Sequence, residues 1–379
     1  MNINTRLLHD YPVVDPHTGA ASIPKYQTST FNQECVFDGQ EYTYTRFKNP
    51  TVHALDEGLK MLADAKYALS FASGMAAIST SLMLLEKGDH IILPIEVYGG
   101  TYQFTCQILT HYGIEVSYID MADLQNVERA IKDNTRMIYI ETPSNPLLKI
   151  TDIKCVVNIA QHHDILTIAD NTFMTTLYQN PLHLGVDISV ESLTKFINGH
   201  SDVTGGFIAT NNEDIYNRLC LLQKNFGGIL GVEEAWLVLR GMKTMGIRME
   251  RSVKNAQAIA EFLDCHPNVQ KVYYPGLVSH RDFEIHQGQA SSGGAVLSFE
   301  LKSKKAVDKV TKALQIPIIA VSLGGVESIV SYPCTMSHAC LSPEERLSQG
   351  VTDNLLRLSC GIEDTEDLLQ DFDQALRQL

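Results

Sequence analysis

Residues 165–195 read ILTIADNTFMTTLYQNPLHLGVDISVESLTK. Two short apolar runs in this stretch, ILTIAD at 165–170 and DISVES at 187–192, have the length and β-branched content of buried strands. The same rhythm continues outward in both directions. Runs ALSF (68–71), HIILP (90–94), IEVSYI (114–119), RMIYIE (136–141) and GGFIAT (205–210) join the first two, and helical patterns such as DLQNVERAIKD (123–133) and DIKCVVNIAQHHD (152–164) fall between several of them. Near-continuous apolar strands separated by helices predict an α/β fold with a mostly parallel seven-stranded sheet covered on both faces.

Past the sheet, residues 233–265 (EEAWLVLRGMKTMGIRMERSVKNAQAIAEFLDC) have few breakers and a helical period, which predicts one long linking helix bent at its glycines. New strand signals follow at 269–276, 293–300 and 355–360, with helical segments at 304–315 and 363–379, the pattern of a smaller α+β C-terminal domain. The first fifty residues, rich in Pro, Thr and Tyr, read as an extended arm that must lie against something. The expected division is an arm at 1–50, a larger domain at 51–245 and a C-terminal domain at 246–379.

Composition narrows the function. With 379 residues, 44% hydrophobic and 20% charged, the chain can build a substantial core, and its net charge of -14 argues against a nucleic-acid partner. Eight cysteines (35, 106, 155, 220, 265, 334, 340 and 360) show no C-x-x-C spacing and read as reduced, mostly buried thiols. Residues 68–85 carry no charge and approach the length of a membrane span. The Ser73-Gly74 break favours a strand, a tight turn and a buried helix instead. The amino terminus has no signal-peptide pattern, so a cytoplasmic location without membrane attachment is expected.

In open α/β sheets, sites form beyond the carboxyl ends of the strands. That edge holds Asp170, Ser192, Thr194 and Lys195. A carboxylate and a buried lysine at neighbouring strand ends meet the two needs of pyridoxal 5'-phosphate: a partner for its ring nitrogen and an amine that can condense with its aldehyde. A turn aspartate and a solvated lysine are the plain alternative. Ser73, Gly74 and Met75 open a helix and could present backbone N–H groups to a phosphate, or form a simple strand-to-helix turn. Ser192 and Thr194 could complete that cup. Tyr98, in Val-Tyr-Gly-Gly-Thr after a strand, could stack on the ring and move protons, or be a surface loop residue. Arg357 lies inside the apolar strand pattern LLRLSC; its partner is either a substrate carboxylate or a buried protein acid.

The strings YTRFKNPT (44–51), SGMAA (73–77), EVYGGT (96–101), ETPSNPLL (141–148), ADNTF (169–173), SLTKFINGHSDV (192–203), YYPGL (273–277), SLGGVES (322–328) and LLRLSCGIED (355–364) run nearly the whole length of the chain. Together they resemble the cystathionine synthase and lyase family, the Cys/Met-metabolism group of pyridoxal-phosphate enzymes with the aspartate aminotransferase fold (fold type I). The resemblance implies the covalent cofactor link on Lys195, the ring-nitrogen partner on Asp170 and the stacking phenol on Tyr98. Phosphate contacts are implied for Ser73, Gly74, Met75, Ser192 and Thr194, and from a neighbouring subunit for Tyr44 and Arg46. Substrate-carboxylate contacts fall on Arg357, Asn145 and Ser322. A dimer with shared sites, paired into a tetramer, is implied as well.

The implied activity is cleavage of a carbon–sulfur bond of L-cystathionine, by β- or γ-elimination, with cysteine or homocysteine as further substrates. Two departures from family patterns bear on subtype. Gly100 stands where methionine γ-lyase-like members have a cysteine, and Val321 stands where many γ-acting members have a glutamate. The alternatives are a cystathionine γ-synthase joining cysteine to an O-activated homoserine, a ligand-binding regulator on the same fold, and a metal hydrolase using His162, His163, Asp164 and His200. Adjacent histidines on a helix diverge, so that cluster reads as a helix end and no metal is expected.

Overall fold

The computed structural model describes residues 1–339 and 341–379; Cys340 lies outside them. Seven strands form the larger sheet: β1 (Tyr67–Phe71), β2 (His90–Pro94), β3 (Glu115–Ile119), β4 (Thr135–Glu141), β5 (Leu166–Asp170), β6 (Ile188–Glu191) and β7 (Gly206–Thr210). Their spatial order is β1-β7-β6-β5-β4-β2-β3. Strand β7 runs antiparallel to both its neighbours, and all the other pairs are parallel. Each of the seven apolar runs becomes a strand, because a sheet covered on both faces selects for continuous Ile, Val and Leu. One face packs Ile91, Leu93, Tyr139, Ile168 and Ile188 in one cluster, and the other packs Ile92, Ile138, Ile140 and Ala169 against helix Ile153–His162.

The uncharged stretch at 68–85 divides as its turn residues suggest. Strand β1 ends at Phe71, and helix Gly74–Leu82 starts behind Ser73, whose Oγ accepts the Ala76 N–H at 3.0 Å. Among the described residues no helix is long and apolar enough to cross a membrane.

A second sheet comprises β8 (Val269–Tyr273), β9 (Val296–Leu301), β10 (Ile318–Ile319), β11 (Ile329–Ser331) and β12 (Leu355–Ser359), in the order β10-β11-β12-β9-β8. Strands β10 and β11 were not legible in the sequence; with two and three residues they are too short to show a period. The Ser298 hydroxyl of β9 donates to the Pro146 carbonyl at 2.6 Å, which ties the loop after β4 to this sheet.

The sequence reading needs correction in three places. The linking helix is two helices, Val232–Met242 and Met245–Asp264, broken at Lys243 and Thr244 rather than bent at glycines. Its glycines serve close approach instead: a Cβ on Gly241 would stand 2.4 Å from the Asn198 carbonyl oxygen. The arm is not extended throughout, since Ile3–His9 is helical and buries Leu7 in the cluster that holds Met245 and Met249. The thiols are less buried than expected, because only Cys334 and Cys360 of the described cysteines are fully enclosed.

Gly241→Ala forces a methyl group into the backbone of the segment that follows Lys195. Its expected cost is about 2 kcal/mol, read as a thermal unfolding midpoint several degrees below that of the parent protein.

Candidate active site

Beyond the carboxyl ends of β4, β5 and β6 lies a cavity of about 600 Å³. Its lining includes Ser73, Gly74, Met75, Tyr98, Asn145, Asp170, Ser192, Thr194, Lys195, Ser322 and Arg357. Eleven residues that sequence reasoning picked from seven separate stretches thus meet in one place.

Lys195 occupies a tight turn, Leu193–Ile197, that leaves β6, and its own backbone is non-helical (φ -93°, ψ -135°). Two neighbours hold this turn. Arg248, buried on helix Met245–Asp264, donates to the carbonyls of Phe196 (2.8 Å), Ile197 (3.0 Å) and Gly241 (2.9 Å). Gly324, at φ +80°, lets the 322–325 loop press on the turn, since a Cβ there would meet the Phe196 nitrogen at 2.6 Å. Lys195 Nζ then donates to Ser322 Oγ at 2.6 Å. Burial, with Arg357 nearby, lowers the Lys195 ammonium pKa to about 8. Ser322 itself has φ +83°, an uncommon conformation for a residue with a side chain, found where loops are held for a task.

Arg357, in the middle of β12, is 3% exposed. Its Nη1 donates to Asn145 Oδ1 at 2.9 Å, and its Nη2 to the Ser322 carbonyl at 2.7 Å and to Ser331 Oγ at 3.0 Å. Its Nε has no partner, and no carboxylate pairs with it among the described residues. The choice left open by the sequence is therefore decided against a protein salt bridge. A buried guanidinium satisfied only by neutral oxygens is short of an anion, and burial lowers its pKa to about 10.

Asp170 closes β5. Its Oδ2 accepts from Tyr139 Oη at 3.2 Å and its Oδ1 from the Thr172 N–H at 3.0 Å. Burial pushes its carboxyl above the usual range, and Glu141, its register partner on β4, is driven well above it by burial and by Asp170. Two facing acids without a cation suit a group that brings a positive ring nitrogen. At the other end, Ser73 caps helix Gly74–Leu82, whose first N–H groups point into the cavity beside Ser192 and Thr194. Thr194 Oγ1 accepts the Gly205 N–H at 3.0 Å, and a Cβ on Gly206 would stand 2.6 Å from the Ser73 carbonyl, so only glycine lets β7 approach. An anion cradle, an acid pair and a lysine of depressed pKa around one cavity fit pyridoxal 5'-phosphate in charge and chemistry.

Tyr98 lies on the cavity wall just ahead of helix Gly99–Gln103, and its N–H donates to Glu141 Oε2 at 2.9 Å. A Cβ on Gly100 would stand 2.7 Å from the Tyr98 ring, so the glycine makes room for that pose. Tyr44 and Arg46 are not at this cavity. Arg46 lines a separate surface pocket, where it donates to the Lys224 carbonyl at 2.7 Å and lies 5.0 Å from the Phe47 ring and 5.5 Å from the Tyr44 ring. Sequence reasoning missed Tyr139, Glu141, Thr172, Arg248 and Ser331. Glu141 sat inside a quoted string with nothing to show which way it faced, and Arg248 carried the same signal as Arg357, an arginine among apolar neighbours. His162 and His163 end helix Ile153–His162, and His200 bonds the Asn198 carbonyl. Among the described residues no group of three metal-ligating side chains forms.

Fold and site together suit a pyridoxal-phosphate-dependent enzyme. A family model described as Cys/Met metabolism PLP-dependent enzyme matches residues 4–377. A cystathionine beta-lyase, MetC, of Bacillus subtilis is 50% identical over 100% of this chain and 97% of its own length. A cystathionine gamma-lyase of the same organism is 44% identical over the whole of both chains. The crystal structure of a Lactobacillus plantarum cystathionine gamma-lyase complexed with L-serine superposes with a TM-score of 0.96, at 41% identity, over 100% of this chain and 99% of that one. The chain belongs to the Cys/Met-metabolism family of pyridoxal-phosphate-dependent enzymes.

A lysine titrating near 8 should capture the cofactor faster as pH rises, with a plateau above that value. Arg357→Met removes a like charge, so the Lys195 amine holds its proton more tightly and the midpoint of the rate profile should move to higher pH. Stopped-flow absorbance of pyridoxal phosphate mixed with the cofactor-free protein measures both.

Proposed function

We propose that the protein cleaves the carbon–sulfur bond of L-cystathionine by β-elimination, with water giving homocysteine, pyruvate and ammonia. The observation that carries this reading is Arg357, a buried cation lacking a carboxylate, whose partner Ser322 also touches the Lys195 amine. A substrate carboxylate laid on Arg357 and Asn145 brings the amino-acid Cα to Lys195. The preference for the β bond rests on Val321, apolar and 63% exposed at the position before Ser322, and on the 50% identity to a β-lyase.

Bound pyridoxal phosphate supplies an aldehyde for the substrate amine and a cationic ring that accepts the electron pair from Cα. Ser73, Gly74, Met75, Ser192 and Thr194 hold its phosphate, and Asp170 keeps the proton on its ring nitrogen. Lys195 Nζ takes the Cα proton, which its lowered pKa permits near neutrality. Tyr98 would lie against the ring, and its phenol, or the Lys195 ammonium, returns a proton to the departing sulfur. Arg357, Asn145 and Ser322 fix the carboxylate so that the Cα–H bond faces the lysine.

The chain works as a homo-oligomer in the cytoplasm, a dimer paired into a tetramer. In it the arm at 1–50 carries Tyr44 and Arg46 to a neighbouring subunit's phosphate, and 51–245 and 246–379 form its two domains. That placement accounts for a Tyr44–Arg46 pair remote from the chain's own cavity.

Lys195→Ala should abolish both turnover and the yellow colour of the purified protein. Tyr98→Phe should keep the colour and lose about a hundredfold in kcat. Incubation with L-cystathionine followed by chromatography of the keto acid should yield pyruvate. 2-Oxobutyrate would mean γ-elimination, and cystathionine accumulating from O-acetyl-homoserine and cysteine would mean the synthase.

A further inference from the structure

Below the cavity, on the opposite face of the sheet, is a buried polar chain that the chemistry above does not use. Side chains alternate along a strand, so where Val190 lines the cavity, the next residue, Glu191, points away from it. Glu191 is fully enclosed. Its Oε1 accepts from Asn171 Nδ2 at 3.0 Å and from the Thr176 hydroxyl, and its Oε2 has no partner. Asn171 also donates to the Gln179 carbonyl at 2.7 Å and accepts from Gln179 Nε2 at 3.0 Å. Gln179 Nε2 reaches on to the Thr142 carbonyl at 2.9 Å.

This chain crosses the ends of β4, β5 and β6, and each member adjoins a residue of the cofactor site. Thr142 follows Glu141, Asn171 follows Asp170, and Glu191 precedes Ser192. No lysine or arginine pairs with Glu191 among the described residues, and burial raises its pKa to about 8. An uncompensated buried carboxylate is costly, so the neutral acid is the form that suits the site. Gln179 Oε1 is buried without a donor as well, so the cluster as a whole is short of donors, and a neutral Glu191 adds one to it.

We propose that Glu191 is a positioning residue: as a neutral acid it ties the ends of β5 and β6 together and thereby sets the span between Asp170 and Ser192. The proposal rests on the reading that those two residues face the ring nitrogen and the phosphate of one cofactor. A molecule gripped at both ends binds more tightly than its halves only when the two grips stand at the right separation. Losing Glu191 should erode that gain and leave each grip intact.

The test titrates the cofactor-free protein with pyridoxal phosphate, with pyridoxal and with inorganic phosphate, by absorbance and by competition. Glu191→Leu should weaken pyridoxal phosphate by about tenfold or more, while pyridoxal and phosphate each stay within about twofold of the parent. Glu191→Gln, which copies the neutral acid, should restore the parent affinity. If Glu191→Leu does not fold, Thr176→Val, which removes one donor to Glu191, should show the same split at about threefold. Unchanged affinity for pyridoxal phosphate, or equal losses for all three ligands, overturns the proposal. Failure of the underlying reading looks different: in the chain with Glu191 intact, Asp170→Ala would leave pyridoxal binding unchanged, or Ser192→Ala would leave phosphate binding unchanged.

Discussion

Two basic groups, the half-buried Lys195 and the buried Arg357, stand on either side of Ser322, and among the described residues no carboxylate pairs with either. Little else in the structure would favour this arrangement, since each cation loses water and each repels the other. It persists because both are held from outside. Arg357 is clamped in the middle of a strand whose neighbour supplies Ser331, while the loop after β4 supplies Asn145. Lys195 is fixed by a turn whose carbonyls are consumed by Arg248. The result is an amine that can lose its proton near neutrality and a guanidinium that needs an anion, one on the hydroxyl and the other on the carbonyl of Ser322.

The acids follow the opposite logic on the other side of the cavity. Asp170 and Glu141 face each other across neighbouring strands, and both are pushed toward the neutral form. A cofactor that brings a cationic ring nitrogen and a dianionic phosphate complements both halves at once. The cavity thus holds separated groups, the basic Lys195 and Arg357 on one side and the acids Asp170 and Glu141 on another. Such an arrangement costs stability in the empty protein, which is a common expense of sites prepared for polar ligands.

The parallel sheet explains why these residues meet. In-register parallel strands end on one side, so Glu141, Asp170 and Val190 stand in a row although they come from three separate strands of the chain. Strand β7 reverses direction and brings Gly206 back to the same edge, where its missing side chain allows the start of helix Gly74–Leu82 to approach. The second sheet then adds Arg357 and the 322–325 loop from above.

What could be read in the sequence by itself was whatever depended on local pattern. The seven apolar runs became the seven strands because a sheet buried on both faces demands hydrophobic continuity, and Ser73-Gly74 marked the helix start because turn and cap chemistry is local. Lys195, Asp170 and Tyr98 stood out because their residue types suit one cofactor at strand ends. Tertiary structure alone decided the rest. Whether Arg357 meets a protein acid or an open cavity depends on which side chains lie opposite it, and those come from residues 145, 322 and 331. That Gly241 and Gly246 permit contact rather than bend a helix, and that Glu191 and Arg248 are buried under the site, likewise follow from packing between distant segments. Burial and long-range partners set those energies, and neither is encoded in the period or spacing of the residues around them.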